Sequence, residues 1–165
     1  MRIEPNTMTF TPLLAPAFAA YWFLNELDKF LHSTTLGNVA WYGNDRTEQF
    51  ERYFSNIGMP NAPLHNILTF AGIVEVAVAI PFLLCGPLLL SLDFDRWNKG
   101  AHVMHFGLIS SFAVFLGFIV LDVIAGDRAE LLEHSIYLAV IAGSYAVMYL
   151  DSTLRAPQKN HPSQG

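Results

Sequence analysis

Four long stretches of the chain are almost wholly apolar, and short polar segments separate them. The stretches are Pro12–His32, Leu64–Leu90, Lys99–Ala125 and Ala129–Leu150. Each is long enough to cross a bilayer, since about 20 apolar residues at a rise of about 1.5 Å each span its hydrocarbon core. The runs are continuous rather than alternating, which disfavours a membrane β-barrel. The pattern predicts an all-α integral membrane four-helix bundle over residues 1–151, followed by a polar, disordered tail over residues 152–165.

The connection between the first two apolar stretches, residues 33–63, is long enough to contain a further element. Asp45 followed by Glu48 three residues later is typical of a helix start. Aromatic residues then recur at helical spacing, at Phe50, Tyr53 and Phe54. We therefore expect a short amphipathic helix here, which lies on the membrane surface or caps the bundle.

Composition supports a membrane protein and excludes several classes of site. Apolar residues make up 53% of the chain and charged residues only 14%, against about 25% charged residues in a soluble domain. The net charge of −5 argues against a nucleic-acid partner. Cys85 is the single cysteine, so the chain can form no internal disulfide, no thiol pair and no cysteine metal site.

The distribution of basic residues gives a small preference for one orientation. Four spans place both termini on one side of the membrane. Five basic residues fall on that side (Arg2, Arg96, Lys99, Arg155 and Lys159) and four on the other (Lys29, Arg46, Arg52 and Arg128). Because basic residues concentrate in cytoplasmic segments, the count favours cytoplasmic termini by one residue. The opposite side, here called the distal side, carries most of the acidic residues.

Ionisable side chains from all four predicted helices fall in the distal half of the bundle. Consecutive helices run in opposite directions, so the end of the first and third helices lies level with the start of the second and fourth. The groups are Asn25, Glu26, Asp28, Lys29 and His32 on the first helix, His65 and Glu75 on the second, Asp122 on the third, and Glu130, Glu133 and His134 on the fourth. This convergence is the main functional signal in the sequence.

Glu75 stands alone in the apolar run FAGIVEVAVAIPFLL. A charge in hydrocarbon costs about 3 kcal/mol or more, so such a group faces the bundle interior and pairs. Glu75 either pairs with a cation such as Lys29 or His134, or stays protonated. The sequence leaves open whether it is a structural pair or a ligand or proton-transfer group.

Three segments resemble DoxX-like membrane proteins, and the resemblance as a whole covers residues 15–150. They are FLNELDKFLH, YFSNIGMPNAPLHNILTFAGIVEVAVAIPFLLCG and GDRAELLEHSIYLAVIAGSYAVMYL. The resemblance implies a four-helix bundle associated with redox chemistry. One branch of that family is the membrane subunit of thiosulfate:quinone oxidoreductase, and others accompany dehydrogenases or sulfur enzymes. The polar positions of the pattern match Glu26, Lys29, Glu75, Glu133 and His134. With Cys85 as the single cysteine, a thiol relay within this chain is not expected.

The convergence and the resemblance together predict a membrane subunit of a quinone-linked oxidoreductase complex in a bacterial or archaeal cytoplasmic membrane. Its distal pocket would hold a quinone or lipid head, with Glu75 or His134 exchanging a proton and Lys29 holding an ionised oxygen. The predicted pocket walls are Trp22, Glu26, Lys29, Glu75, Asp122 and His134. The spacing of Glu130, Glu133 and His134 is also that of metal ligands, although an ion-pair network would have the same spacing. The alternative function is a structural accessory or assembly subunit that packs against other membrane proteins.

Overall fold

The described chain is mainly helical, which confirms the all-α prediction in its coarse form. The structure is a computed structural model that describes residues 9–31, 34–43, 45–60 and 62–156, without the side chain of Asp28. Its elements are α1 (Thr11–Leu31), β1 (Thr34–Leu36), β2 (Val39–Trp41), α2 (Thr47–Asn56), α3 (Leu64–Leu89), α4 (Phe94–Ala125) and α5 (Arg128–Arg155). The predicted amphipathic helix corresponds to α2. Most of the predicted disordered tail, residues 157–165, lies outside the described residues.

Two predicted helix boundaries were wrong, and in both cases the helix is longer than predicted. α4 begins at Phe94 rather than Lys99, because the Asp93 carboxylate accepts a hydrogen bond from the Asp95 backbone N–H (2.9 Å) and caps the helix. α5 continues to Arg155 rather than ending near Leu150. Residues 152–155, which we assigned to the disordered tail, are therefore helical.

A two-stranded hairpin, β1 and β2, was not predicted. The strands pair antiparallel, with Thr34 opposite Trp41, and Gly37 in the turn has a φ of 62°. Glycine adopts this left-handed conformation without steric cost. Strands of three residues are too short for an alternating pattern to stand out in the sequence.

The long helices pack in the order α1, α3, α4, α5, with α1 also touching α5, while α2 lies against α4 and α3. The core contains Trp22, Phe82, Trp97, Met104 and Leu108, all nearly inaccessible. The Trp22 Nε1–H donates to the Ser111 hydroxyl (2.9 Å), which joins α1 to α4. Trp97 is buried within α4 beneath the Arg155 guanidinium, which lies 5.1 Å from the ring centroid.

The start of α1 and the end of α5 are joined by a buried side chain. Asp151 accepts hydrogen bonds from the Thr11 backbone N–H (2.8 Å) and the Thr11 hydroxyl (2.6 Å). Asp151 thus serves the first turn of α1, whose N–H groups have no partner within their own helix.

Three helices, α3, α4 and α5, are long and apolar enough to cross a membrane. At most 33% of the most apolar window of each is buried inside the protein, so most of that apolar surface faces outward. Large side chains such as Phe70, Leu83, Phe106, Val123 and Tyr149 are more than half exposed. Contiguous apolar surface of this kind marks contact with lipid or protein. α1 is not among the three helices, because its last two turns carry Asn25, Glu26, Asp28 and Lys29.

Candidate functional site

A cavity of about 70 Å³ lies where the distal ends of the helices meet. Every helix contributes to its lining. The residues are Tyr21, Trp22, Asn25 and Lys29 from α1; Arg46, Gln49, Phe50 and Tyr53 from α2 and its N-cap; Ala71 and Glu75 from α3; Phe115, Phe118 and Asp122 from α4; and Glu130, Glu133, His134 and Tyr137 from α5. The volume admits a few water molecules and is well below the roughly 300 Å³ of a small ligand pocket.

One wall is an ion-pair cluster between α1 and α3, here called the α1–α3 cluster and formed by Asn25, Glu26, Lys29 and Glu75. The Lys29 ammonium bridges the two carboxylates: it lies 3.2 Å from Glu26 Oε2 and also contacts Glu75 Oε1. The Asn25 amide donates to Glu75 Oε2 (3.1 Å). Glu26 and Glu75 are each only 1% exposed. Lys29 at the polar end of α1 is thus paired with a carboxylate on α3, and the two acids are turned away from the exterior.

Gly72 provides the space for the Glu26 carboxylate. A Cβ at position 72 would collide with Glu26 Oε1 and lie 3.0 Å from Glu26 Cδ and 3.1 Å from the Phe30 ring. The absence of a side chain at Gly72 therefore allows α1 and α3 to approach with a buried acid between them.

The opposite wall is a second cluster, the α4–α5 cluster, formed by Asp122, Glu130 and His134. His134 Nδ1 lies 2.6 Å from Asp122 Oδ2, and its Nε2 lies 3.8 Å from Glu130 Oε2. Glu130 also accepts from Arg46 at the N-cap of α2 (3.1 Å). Asp122 is 2% exposed. Its carboxylate is therefore stabilised by His134 and by the Tyr53 hydroxyl, which lies 3.4 Å from Asp122 Oδ1.

Polar contacts hold α2 over the distal end of the bundle. Asn56 donates to the Ala125 carbonyl (3.0 Å), Arg52 lies 3.6 Å from the Asp127 carboxylate, and Gln49 donates to the Tyr53 hydroxyl (3.0 Å). Burial raises the pKa of Tyr53, although the Gln49 hydrogen bond opposes the shift. The Tyr53 hydroxyl therefore stays protonated and can donate to Asp122.

Aromatic rings fill the space between the two clusters. Phe115 packs against Trp22 and Tyr137, with centroids 5.1 Å away in each case, and against His134 at 5.8 Å. Tyr21 lies 5.3 Å from Tyr137. The cavity is thus flanked by aromatic faces, with ionisable groups at both ends.

The structure brings most of the predicted pocket residues together. Trp22, Lys29, Glu75, Asp122 and His134 all line the cavity. Glu26 does not line it, since its side chain points against Gly72 and reaches the site through Lys29. The cation that pairs with Glu75 is Lys29, one of the two we proposed, whereas His134 pairs with Asp122. The ligand-binding and proton-exchange roles of the predicted pocket residues stay predictions.

The possible metal site at Glu130, Glu133 and His134 finds no support. Among the described residues, no three His, Cys, Asp or Glu side chains are arranged to hold a metal ion. Glu130 pairs with Arg46 and His134 with Asp122, while Glu133 accepts from the Tyr137 hydroxyl (2.6 Å). The three side chains therefore face different partners.

Several lining residues were not singled out from the sequence. Tyr53 and Phe50 were read as the apolar face of an amphipathic helix, and that pattern could have placed them against the bundle. Arg46 and Gln49 gave no such signal, because their contacts depend on how α2 docks.

Asp127 caps α5 and gives the site a testable pH dependence. Its carboxylate accepts from the Glu130 and Ala129 N–H groups (both 3.2 Å). These bonds, chiefly that from Glu130, together with Tyr53 and Arg52, lower the pKa of Asp127 despite partial burial. A lowered folded-state pKa contributes stability above the unfolded-state pKa of about 3.9, and that contribution is lost as the pH falls through the folded-state value.

We expect Asp127→Ala to lower the free energy of unfolding by about 1 kcal/mol at neutral pH, the usual loss for a missing N-cap. The deficit should shrink as the pH falls below about 4, because Asp127 of the unfolded wild-type chain is protonated first, and it should vanish once the folded-state carboxylate is protonated as well. Asp127→Asn is the matched control, because asparagine also caps helices and should retain most of the stability. Unfolding curves at several pH values measure both, and a deficit that stays constant with pH would contradict the assignment.

Comparisons of this chain with protein-family models, curated proteins and solved structures give no significant match. The likeness to DoxX-like proteins therefore rests on the sequence segments alone.

Proposed function

We propose that this chain is a DoxX-like membrane subunit of a membrane-bound redox complex, in which the distal cavity exchanges protons and receives the polar head of a quinone or lipid. One observation carries the proposal: five helices place two clusters of ionisable side chains on opposite walls of one cavity, each with a nearly inaccessible acid. Intramembrane ionisable groups are costly, and they mark functional sites in membrane proteins.

The proposal includes four membrane spans, α1, α3, α4 and α5. The polar end of α1 is compatible with a span because Glu26 and Lys29 are paired with Glu75 inside the bundle. The Thr11–Asp151 contact joins the start of α1 to the end of α5, as expected if both termini lie on one side. The one-residue excess of basic groups supports a cytoplasmic location for that side, and the proposal takes the membrane to be that of a bacterium or archaeon.

Each cluster has a role in this proposal. Lys29 would stabilise a developing oxyanion on a bound head, while Glu75 and His134 would exchange protons with it, in line with general acid–base catalysis. The present cavity of about 70 Å³ is smaller than a cavity of about 150 Å³ that admits benzene. A quinone ring therefore enters only if the cavity widens, and α2, which covers it, is held by the hydrogen bonds and ion pairs described above.

Binding of a short-chain benzoquinone to purified protein in lipid nanodiscs tests the proposal. We expect saturable binding that Glu75→Gln and His134→Ala each weaken about tenfold or more, since a hydrogen bond to a charged group is worth about 1.5–3 kcal/mol. His102→Ala is the matched control, because His102 is exposed on α4 and is absent from the cavity lining. Unsaturable binding, or equal binding by all variants, would rule out a quinone site.

A structural accessory subunit is the second candidate, and the small cavity favours it. Within the α1–α3 cluster and within the α4–α5 cluster, acidic side chains already contact basic ones, as in a purely structural polar core. Native mass spectrometry of the protein extracted in mild detergent measures directly whether it forms a complex with another membrane protein. A defined complex with another membrane protein, together with no quinone binding, would favour the accessory role.

A further inference from the structure

One oxygen in the α1–α3 cluster has no hydrogen-bond partner among the residues that the structure describes. Glu26 Oε1 is fully buried and makes no hydrogen bond to any described residue. It is aimed at the gap above Gly72, and its residue is only 1% exposed. A buried carboxylate oxygen with no donor is strongly unfavourable, whereas a protonated carboxyl can be buried at much lower cost.

The charges of the α1–α3 cluster also favour one protonated carboxyl group. Two carboxylates, Glu26 and Glu75, share the single ammonium of Lys29. If both were ionised, these three side chains would carry one net negative charge in a buried position. Two carboxylates that share a buried site do not both ionise readily, and one retains its proton.

The hydrogen bonds distinguish the two acids. Both oxygens of Glu75 have donors, Lys29 at Oε1 and the Asn25 amide at Oε2. Donors on both oxygens favour the ionised form. Glu26 has a donor on Oε2 only. Glu75 is therefore the ionised member and Glu26 the protonated one.

We propose that Glu26 and Glu75 form an acid pair that binds one exchangeable proton, with Lys29 as their common cation. Glu75, Asn25 and Lys29 line the cavity and Glu26 lies behind them, so the proton passes from the Glu26 hydroxyl to Glu75 and from there to cavity water. Each transfer leaves a carboxylate on the donor and forms an O–H bond on the acceptor, with no change in oxidation state.

Other titratable groups surround the pair and define its exits. Tyr21 on α1, Glu133 and Tyr137 on α5, and Arg46 beside α2 line the same cavity. The Asp122–His134 pair lies on the opposite wall. These are the groups that a proton leaving Glu75 for the cavity can meet.

Infrared difference spectroscopy of the full chain in nanodiscs, in H₂O and D₂O, tests the acid pair without any quinone. We expect a protonated carboxyl C=O band at neutral pH that shifts in D₂O. Glu26→Gln should remove it. Glu75→Gln should remove it as well, because Lys29 would then neutralise the one remaining carboxylate. Glu48→Gln is the control, since Glu48 is exposed on α2, and it should retain the band.

Each contrary result overturns the proposal. The wild-type spectrum alone tests the proposal, even if a variant fails to fold. If it shows no protonated carboxyl band at neutral pH, the Glu26–Glu75 pair holds no proton. If the band remains in Glu26→Gln, the proton lies on a carboxyl group other than Glu26. A band that appears only when sodium and potassium are removed means that a metal cation, not a proton, occupies the site. A failure of the protein to bind quinone would not change the interpretation of any of these infrared results.

Discussion

Lys29→Met is expected to destabilise the protein by about 3–5 kcal/mol, the usual loss when one partner of a buried ion pair is removed. Lys29 is the common cation of Glu26 and Glu75, and its loss leaves the Glu75 carboxylate buried with Asn25 as its donor. Unfolding in mixed micelles, titrated with a denaturing detergent, measures the change.

Two further variants separate this effect from a general loss of charge. Lys99→Met removes an exposed lysine on α4 and should change stability by less than about 0.5 kcal/mol. Lys29→Met combined with Glu75→Gln removes both members of the pair and should recover much of the loss, since replacing both partners costs far less than replacing one. If the double variant is no more stable than Lys29→Met alone, the pairing does not explain the defect.

Gly72→Ala is expected to destabilise the protein by about 3 kcal/mol, at the upper end for an overpacked core. The added methyl would collide with Glu26 Oε1 and press on the Phe30 ring. The carboxylate cannot easily move aside, because it is held by Lys29. The same detergent-unfolding measurement applies.

Gly86→Ala is the matched control on the same helix, because a Cβ there would meet no atom within 4 Å. It should be neutral or stabilise α3 by up to about 1 kcal/mol, since alanine is the better helix former. Adding Glu26→Ala to Gly72→Ala removes the colliding oxygen and should relieve the strain. Equal effects of alanine at positions 72 and 86 would show that the close approach at Gly72 is unimportant.

The experiments on Lys29 and Gly72 also bear on the acid pair. If Glu26 carries a proton, Glu26→Gln should be tolerated far better than Lys29→Met, because glutamine resembles the neutral acid in size and polarity. Glu75→Gln should be intermediate, since it leaves Glu26 to pair with Lys29. This order of stabilities would differ if both acids were ionised.

Much of the fold could be predicted because apolar length is a local property. The bounds of α1 and α3 follow from where the apolar runs begin and end, and α2 from a helix start followed by spaced aromatics. The boundaries of α4 and α5 were less well placed: the Asp93 cap and the last turn of α5 depend on local hydrogen bonds and on contacts such as Arg155 over Trp97. The hairpin was too short to leave a periodic signal.

Some features of the candidate site could likewise be predicted from the sequence, and others could not. That Glu75 faces inward follows from the sequence, because an isolated charge in a span has no favourable place in lipid. That its partner is Lys29 rather than His134 does not follow, because the choice depends on helix rotation and on Gly72 allowing α1 to approach α3. The unpartnered oxygen of Glu26 was equally invisible in the sequence, since a missing hydrogen bond is a property of three-dimensional packing.

By itself, therefore, the sequence determined that this is a helical protein with long apolar helices and that its ionisable groups gather at one end, since hydropathy and helix direction are written along the chain. Only the tertiary structure decided which acid meets which base, that α2 closes the distal end, and that Glu26 Oε1 has no donor within the described part of the chain. Those outcomes depend on distances of a few ångströms between residues far apart in sequence, which a periodic pattern does not encode.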